Sequence, residues 1–206
     1  LDPHDEYFGR SKLGLKDHPC AVDKVRYYSP RNPPPGGISL KINLSHVRPH
    51  HFSGVIDWSD AQLDALFAFY RDFGSDWVSA VLSGKLPGNV KFVDSTIDVV
   101  KRRLMHLLNL SVDENNAVIC NGVFDLCAGQ TVLRDIVGDL SRAKKIIIDT
   151  SELSGAVELL IGSLVAHEIL EHYRRIPAKE LEFMPVVSIV LEEAPRVLGK
   201  EVLERG

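Results

Sequence analysis

Hydrophobic positions fall into two rhythms along this chain. Near both ends they form short runs or alternate every second residue; in the middle they recur every three or four. Val25 to Tyr28 reads as a short strand. Ile38, Leu40, Ile42 and Leu44 alternate with Ser, Lys and Asn, which predicts one half-buried strand over 38–44. Lys145 to Asp149 is an apolar run ending in an acid. Five of the six residues from Val186 to Leu191 are apolar, and four are β-branched. A run of this kind predicts a strand buried on both faces, as in a parallel sheet.

Helical spacing begins at Ser59, which forms a capping-box pattern with Gln62. Leu63, Leu66, Phe67 and Tyr70 continue as an apolar stripe. Asp76 to Leu82 reads as one or two further turns, and Gly84 to Gly88 breaks them. A second helix runs from Ser95 through Leu108. A short strand at Ala117 to Cys120 and a short helix at Gln130 to Val137 follow. From Gly155 to Arg175 the chain is apolar over most of a helix circumference, so that helix is buried on more than one side. Strand, helix and strand over 145–191 predict a right-handed crossover between parallel strands. The chain thus divides into a sheet-forming part (1–58), a mostly helical insertion (59–141) and a second sheet-forming part (142–206).

Composition adds bounds. The 206 residues are 45% hydrophobic and 25% charged, ordinary for a soluble globular chain. No apolar run approaches bilayer length, and no secretory signal opens the chain. It starts at Leu1 in the middle of a motif-like stretch, as an excerpt of something longer would. Cys20, Cys120 and Cys127 lack zinc spacing and read as free thiols in a reducing cytoplasm. The formal net charge of −4 excludes a strongly basic surface, so any DNA contact needs a local patch. Lys101, Arg102 and Arg103 are one such triplet, with a solvated helix face as the alternative. His46, His50 and His51 share a loop but have no acidic or cysteine partner at ligand spacing. His167 and His172 stand five apart, about 140° out of line on a helix, so the four-residue zinc spacing is not met.

The acidic strand ends carry the chemistry. In open α/β sheets ligands bind beyond the carboxyl ends of the strands. Glu192 and Glu193 follow the apolar run there. Asp2, His4 and Glu6 cluster just past what reads as another strand end, and Asp149 closes the strand at 145–149. An acidic pair in this position has the Walker B pattern, in which one carboxylate holds Mg²⁺ through its water shell and the next activates water. The alternative is a strand ending in a solvated charged loop. No Gly-x-x-x-x-Gly-Lys-Ser/Thr loop occurs in the sequence, so this stretch alone is expected not to hydrolyse ATP.

Three segments, in order, carry a resemblance. Asp2-Pro3-His4-Asp5-Glu6-Tyr7 is similar to the Asp-Pro-His-Gly-Glu-Tyr segment of the HerA-type ATPases. Lys145 to Leu153 resembles that family's strand ending in Asp-Leu-Ser. Val186 to Ala194 resembles its Walker B strand ending in Glu-Glu-Ala. The family belongs to the HerA/FtsK branch of the RecA-like P-loop fold. The resemblance implies a partial RecA-like α/β domain with a mainly parallel sheet and a helical insertion. It implies an ATP- and Mg²⁺-dependent DNA translocase or helicase, hexameric in the intact protein and working with a nuclease. It assigns Glu193 as the water-activating base and Glu192 to the Mg²⁺ shell, with Asp2 and Glu6 lining the nucleotide site. Asp149 lies at the same edge, with helix capping as its alternative role. Asp5 departs from the family's Gly, which puts the turn geometry in question, and Pro195-Arg196 stand where the family often has His.

Two rivals remain. A non-catalytic α/β interaction module would leave the Asp2 and Glu192 edges far apart. A zinc hydrolase would need His167 and His172 to hold metal.

Overall fold

The computed structural model describes residues 1–10, 12–21, 23–88, 92–115 and 117–192. They form two compact units: Leu1–Leu40 together with the chain from Thr131, and Lys41–Gln130. The protein is mixed α/β with small, mainly parallel sheets. No helix among the described residues is long and apolar enough to cross a membrane.

The first unit is built on β1 (Val25–Ser29), flanked by β2 (Ile38–Ser39) on one side and β7 (Lys145–Ile148) on the other, all parallel. Strand alternation sorts the side chains to two faces. Tyr27 and Ile147 lie on one, where Phe8 stacks on Tyr27 with ring centroids 4.3 Å apart. On the other face, α4 (Val132–Ser141) packs against β7 and against α5 (Gly155–Arg174). Ser154 caps α5 by accepting the Val157 N–H at 3.4 Å. Leu160, Ile161, Leu164, Val165 and Ile169 of α5 are buried, which accounts for its nearly all-round apolar sequence. A short helix, α6 (Ala178–Leu181), follows.

The second unit contains α1 (Asp60–Phe73), α2 (Trp77–Leu82) and α3 (Asp94–Leu107), mutually packed, with a hairpin of β4 (Leu110–Val112) and β5 (Val118–Cys120). Ser59 caps α1 as expected, its N–H donating to Gln62 Oε1 at 3.2 Å. Trp77 is fully buried and donates its indole N–H to the Val47 carbonyl at 2.8 Å.

Two expectations change. The single strand expected over 38–44 is two. The Leu40 N–H still bonds to the Ser29 carbonyl, at 2.7 Å, beside β1. The Ile42 N–H then bonds to Val123, and β3 (Ile42–Asn43) pairs with β6 (Phe124–Asp125) in the second unit. The sequence alternation runs through both, although Ile42 and Asn43 are both buried, while the partner switches. The run 186–191, expected as a strand buried on both faces, has no ladder pairing among the described residues. Val186 is 94% exposed and Val190 65%. Among the described residues the Leu1 backbone nitrogen ties it down, donating to the Val190 carbonyl at 2.8 Å.

Candidate functional site

The parallel strands β1 and β7 end together, and Asp2 and Asp149 lie just beyond that edge. Asp2 forms an isolated parallel bridge with Asp149, on the side of β7 away from β1. Its N–H donates to Ile148, and its carbonyl accepts from Thr150. The Leu1 bond to Val190 then places the chain leading into Glu192 next along the same rim.

Each carboxylate has a different occupation. Asp2 is 1% exposed. Its Oδ1 accepts the N–H groups of His4 and Glu6, at 3.3 and 3.2 Å, and its Oδ2 accepts that of Tyr7 at 3.0 Å. This carboxylate therefore shapes the 2–7 loop. Pro3 follows it and Asp5 turns the loop with φ +54°, the left-handed region where Gly is favoured and Asp is tolerated. Asp5 accepts the Tyr27 hydroxyl at 2.6 Å and pairs with Arg10 at 3.0 Å, contacts that a glycine could not make.

Asp149 is also buried. Ser29 Oγ and the Tyr27 hydroxyl lie 2.8 and 3.1 Å from its Oδ2. Its Oδ1 accepts the Ser151 N–H at 3.0 Å and the Ser151 hydroxyl at 2.7 Å. Burial pushes this carboxyl's pKa up, but the bonds from Ser151, Ser29 and Tyr27 outweigh it and hold the group below the ordinary Asp range. Burial, then the Asp5 hydrogen bond, pushes the Tyr27 phenol far up, so it stays a donor. Beneath the rim, Thr150 donates to buried Glu158 of α5 at 3.1 Å.

Glu192 differs. Its Oε1 accepts the hydroxyl of Tyr7, and its other oxygen has no hydrogen-bond partner among the described residues. The bond to Glu192 raises the Tyr7 pKa. Glu6 is exposed and lines a cavity of about 420 Å³ with His4, Asp5, Arg10, Lys12 and Leu13. Glu193, expected as the base, lies outside the described residues.

The structure thus brings Asp2, Asp149 and Glu192 to one rim. Tyr7, Tyr27, Ser29 and Arg10 are the members that sequence reasoning missed. Ser29 and Tyr27 sit at the end of β1 in a run that reads as core. Only the position of Ser29 at a strand's carboxyl end could have flagged it.

The other candidates have local occupations. In the second unit, Arg103 lies 5.5 Å over the Trp58 ring and donates to the Asp57 carbonyl, which removes it from the basic triplet as a free cation. His46 Nε2 lies 3.0 Å from the Gln130 carbonyl. On α5, His172 Nε2 lies 3.2 Å from Ser141 Oγ.

Unlike a fully protein-caged ion, a hydrated Mg²⁺ needs few protein ligands. Such an ion takes one or two carboxylates and completes its shell with water and phosphate oxygens. Of Asp2, Asp149 and Glu192, only Glu192 keeps an oxygen without a hydrogen-bond partner among the described residues, while Asp2 and Asp149 are occupied by protein donors. Comparison with protein-family models, curated proteins and solved structures finds no match for this chain.

Proposed function

We propose that the first unit is part of a RecA-like nucleotide-driven motor of HerA type, with the rim at Asp2, Asp149 and Glu192 facing a Mg²⁺–ATP complex. The intact protein is then an ATP-dependent DNA translocase or helicase, working as a ring. The observation that carries this reading is the convergence of segments 185 residues apart, where the Tyr7 hydroxyl donates to Glu192. The rival interaction module requires those edges to be apart.

On this reading Glu192 stands in the Mg²⁺ shell, held in one orientation by Tyr7. Glu193 accepts a proton from the attacking water. Asp2 positions: it sets the loop that carries Glu6 and Tyr7. Asp149, fixed by the Ser151 N–H and hydroxyl and the Ser29 hydroxyl, with the Tyr27 hydroxyl shared with Asp5, orders the end of β7 and the start of the chain into α5. The bound metal would supply charge neutralisation at the phosphates.

The reading requires a P-loop, which is not among these 206 residues. The experiment is therefore ATP hydrolysis by the full-length protein with Glu193→Gln. Turnover should vanish while ATP binding persists. Hydrolysis near the parental rate overturns the proposal.

A further inference from the structure

The opposite, amino-terminal edge of the same sheet gathers positive charge. Lys24 and Arg26 open β1, and Lys144 and Lys145 open β7 in register beside them, the Lys145 N–H donating to the Lys24 carbonyl at 2.7 Å. Arg142 joins from the end of α4. Asp139, 6% exposed, holds three of the five: Lys144 at 2.7 Å, Arg142 at 2.8 Å and Arg26 at 3.5 Å. Those pairs keep its carboxyl below the ordinary range, although burial acts the other way. Two other carboxylates are near in sequence. Asp23 is exposed, and Asp135 accepts the Thr131 hydroxyl. Along the two strand ends and the end of α4, five cations thus stand with three carboxylates, on a chain of formal charge −4.

The arrangement separates scaffold from surface. Asp139 fixes Arg26 and Lys144, whose side chains are 33% and 18% exposed. Lys24 and Lys145 are exposed, and the Arg142 side chain is 67% exposed. These three spread over two strand ends and a helix end rather than converging on a point. A single phosphate is best held by converging donors, whereas a repeating polyanion is met by cations laid out along a surface. The strands run about four residues between this edge and the acidic rim, on the order of 13 Å.

From this we infer that the amino-terminal edge of the β2-β1-β7 sheet, through Lys24, Arg142 and Lys145, contacts the phosphate backbone of nucleic acid without reading sequence. This locates the DNA partner of the proposed motor and rests on that reading for its biological role, but the binding itself does not depend on ATP. It supplies the local patch that the overall negative charge demands, and at a place other than the basic triplet of α3.

The test is fluorescence anisotropy of a labelled duplex of about 30 base pairs, titrated with the protein without nucleotide at several salt concentrations. Binding should weaken with salt. Lys24→Gln/Lys145→Gln should weaken it about ten-fold at low salt and reduce the log–log salt slope by about 2. Both side chains are exposed, so the thermal melt should not move. Lys101→Gln/Arg102→Gln should bind as the parent does. Equal affinity of parent and Lys24→Gln/Lys145→Gln, or loss confined to the α3 variant, overturns the inference. Competition by polyglutamate as strong as by unlabelled duplex would assign the patch to an acidic protein segment and also overturn it. Competition by inorganic phosphate at equal phosphate concentration would reduce it to a small-anion site and equally defeat it. If ATP hydrolysis proves absent but this binding persists, the motor reading fails and the DNA contact stands.

Discussion

Replacing Asp149 by Asn probes how the acidic rim is held. The carboxylate takes hydrogen bonds from the Ser151 N–H and hydroxyl and from the Ser29 hydroxyl, and shares the Tyr27 hydroxyl with Asp5, while 1% exposed. Bonds to a charged acceptor contribute about 1.5–3 kcal/mol, and neutral ones about 0.5–1.5 kcal/mol. An Asn can keep its oxygen toward Ser151 and turn its NH₂ toward Ser29 and Tyr27, whose hydroxyls can then accept or re-aim. The net cost should be about 2 kcal/mol, reduced from the sum of the lost charge assistance because a buried charge is also removed. Asp149→Ala should cost about 3–4 kcal/mol, since the Ser151 N–H then has no acceptor.

The pH dependence has a definite sign. The folded-state carboxyl lies below the unfolded value, so its contribution is present above that value and is lost as pH falls through the folded pKa. Urea unfolding of parent and Asp149→Asn from about pH 7 down to about pH 3 should therefore show a gap that is constant near neutrality and narrows below about pH 4. A gap under about 0.5 kcal/mol near neutrality would refute the reasoning, as would one that widens on acidification.

Two adjacent tyrosines on β1 should respond oppositely. The buried Tyr28 hydroxyl has no hydrogen-bond partner among the described residues, and burial pushes its pKa up to about 12. Tyr28→Phe should therefore leave stability unchanged or raise it by about 1 kcal/mol. Tyr27→Phe loses the bond to Asp5 and should cost about 1 kcal/mol by the same denaturation. Gly54 and Gly129 share φ near +75°, but a Cβ on Gly54 meets open space while one on Gly129 would collide with the Lys41 carbonyl oxygen. Thermal melts should show Gly54→Ala costing about 1 kcal/mol of backbone strain and Gly129→Ala clearly more.

How much of the fold could be read in advance follows from local physics. The strands expected at 25–28 and 145–149 were legible, the second because Ile146 to Ile148 form an apolar run that ends in an acid. Ser59 and Gln62 announced α1 because a capping box is local. The run 186–191 was not legible as what it is: β-branched apolar residues look the same whether or not a ladder partner is present, and here the run has no ladder pairing among the described residues, while the Leu1 nitrogen bonds to Val190. The switch of partner after Leu40 was hidden because alternation reports burial of a face and says nothing of which strand lies alongside. At the rim, the carboxylates could be found as strand-end acids. Their occupations could not, because Tyr7 and Glu192, or Ser29 and Asp149, meet only through the fold. The left-handed turn at Asp5 had no signal of its own, since Asp is tolerated there but does not announce it.

The sharpest measurement pairs two readouts on one variant: steady-state ATP hydrolysis and equilibrium ATP binding, with Mg²⁺, by full-length protein bearing Glu193→Gln. Binding within a few-fold of the parent together with loss of turnover is expected if the rim beside Tyr7 and Glu192 is where a nucleotide is cleaved. Hydrolysis at the parental rate, or no ATP binding by the parent itself, would contradict it.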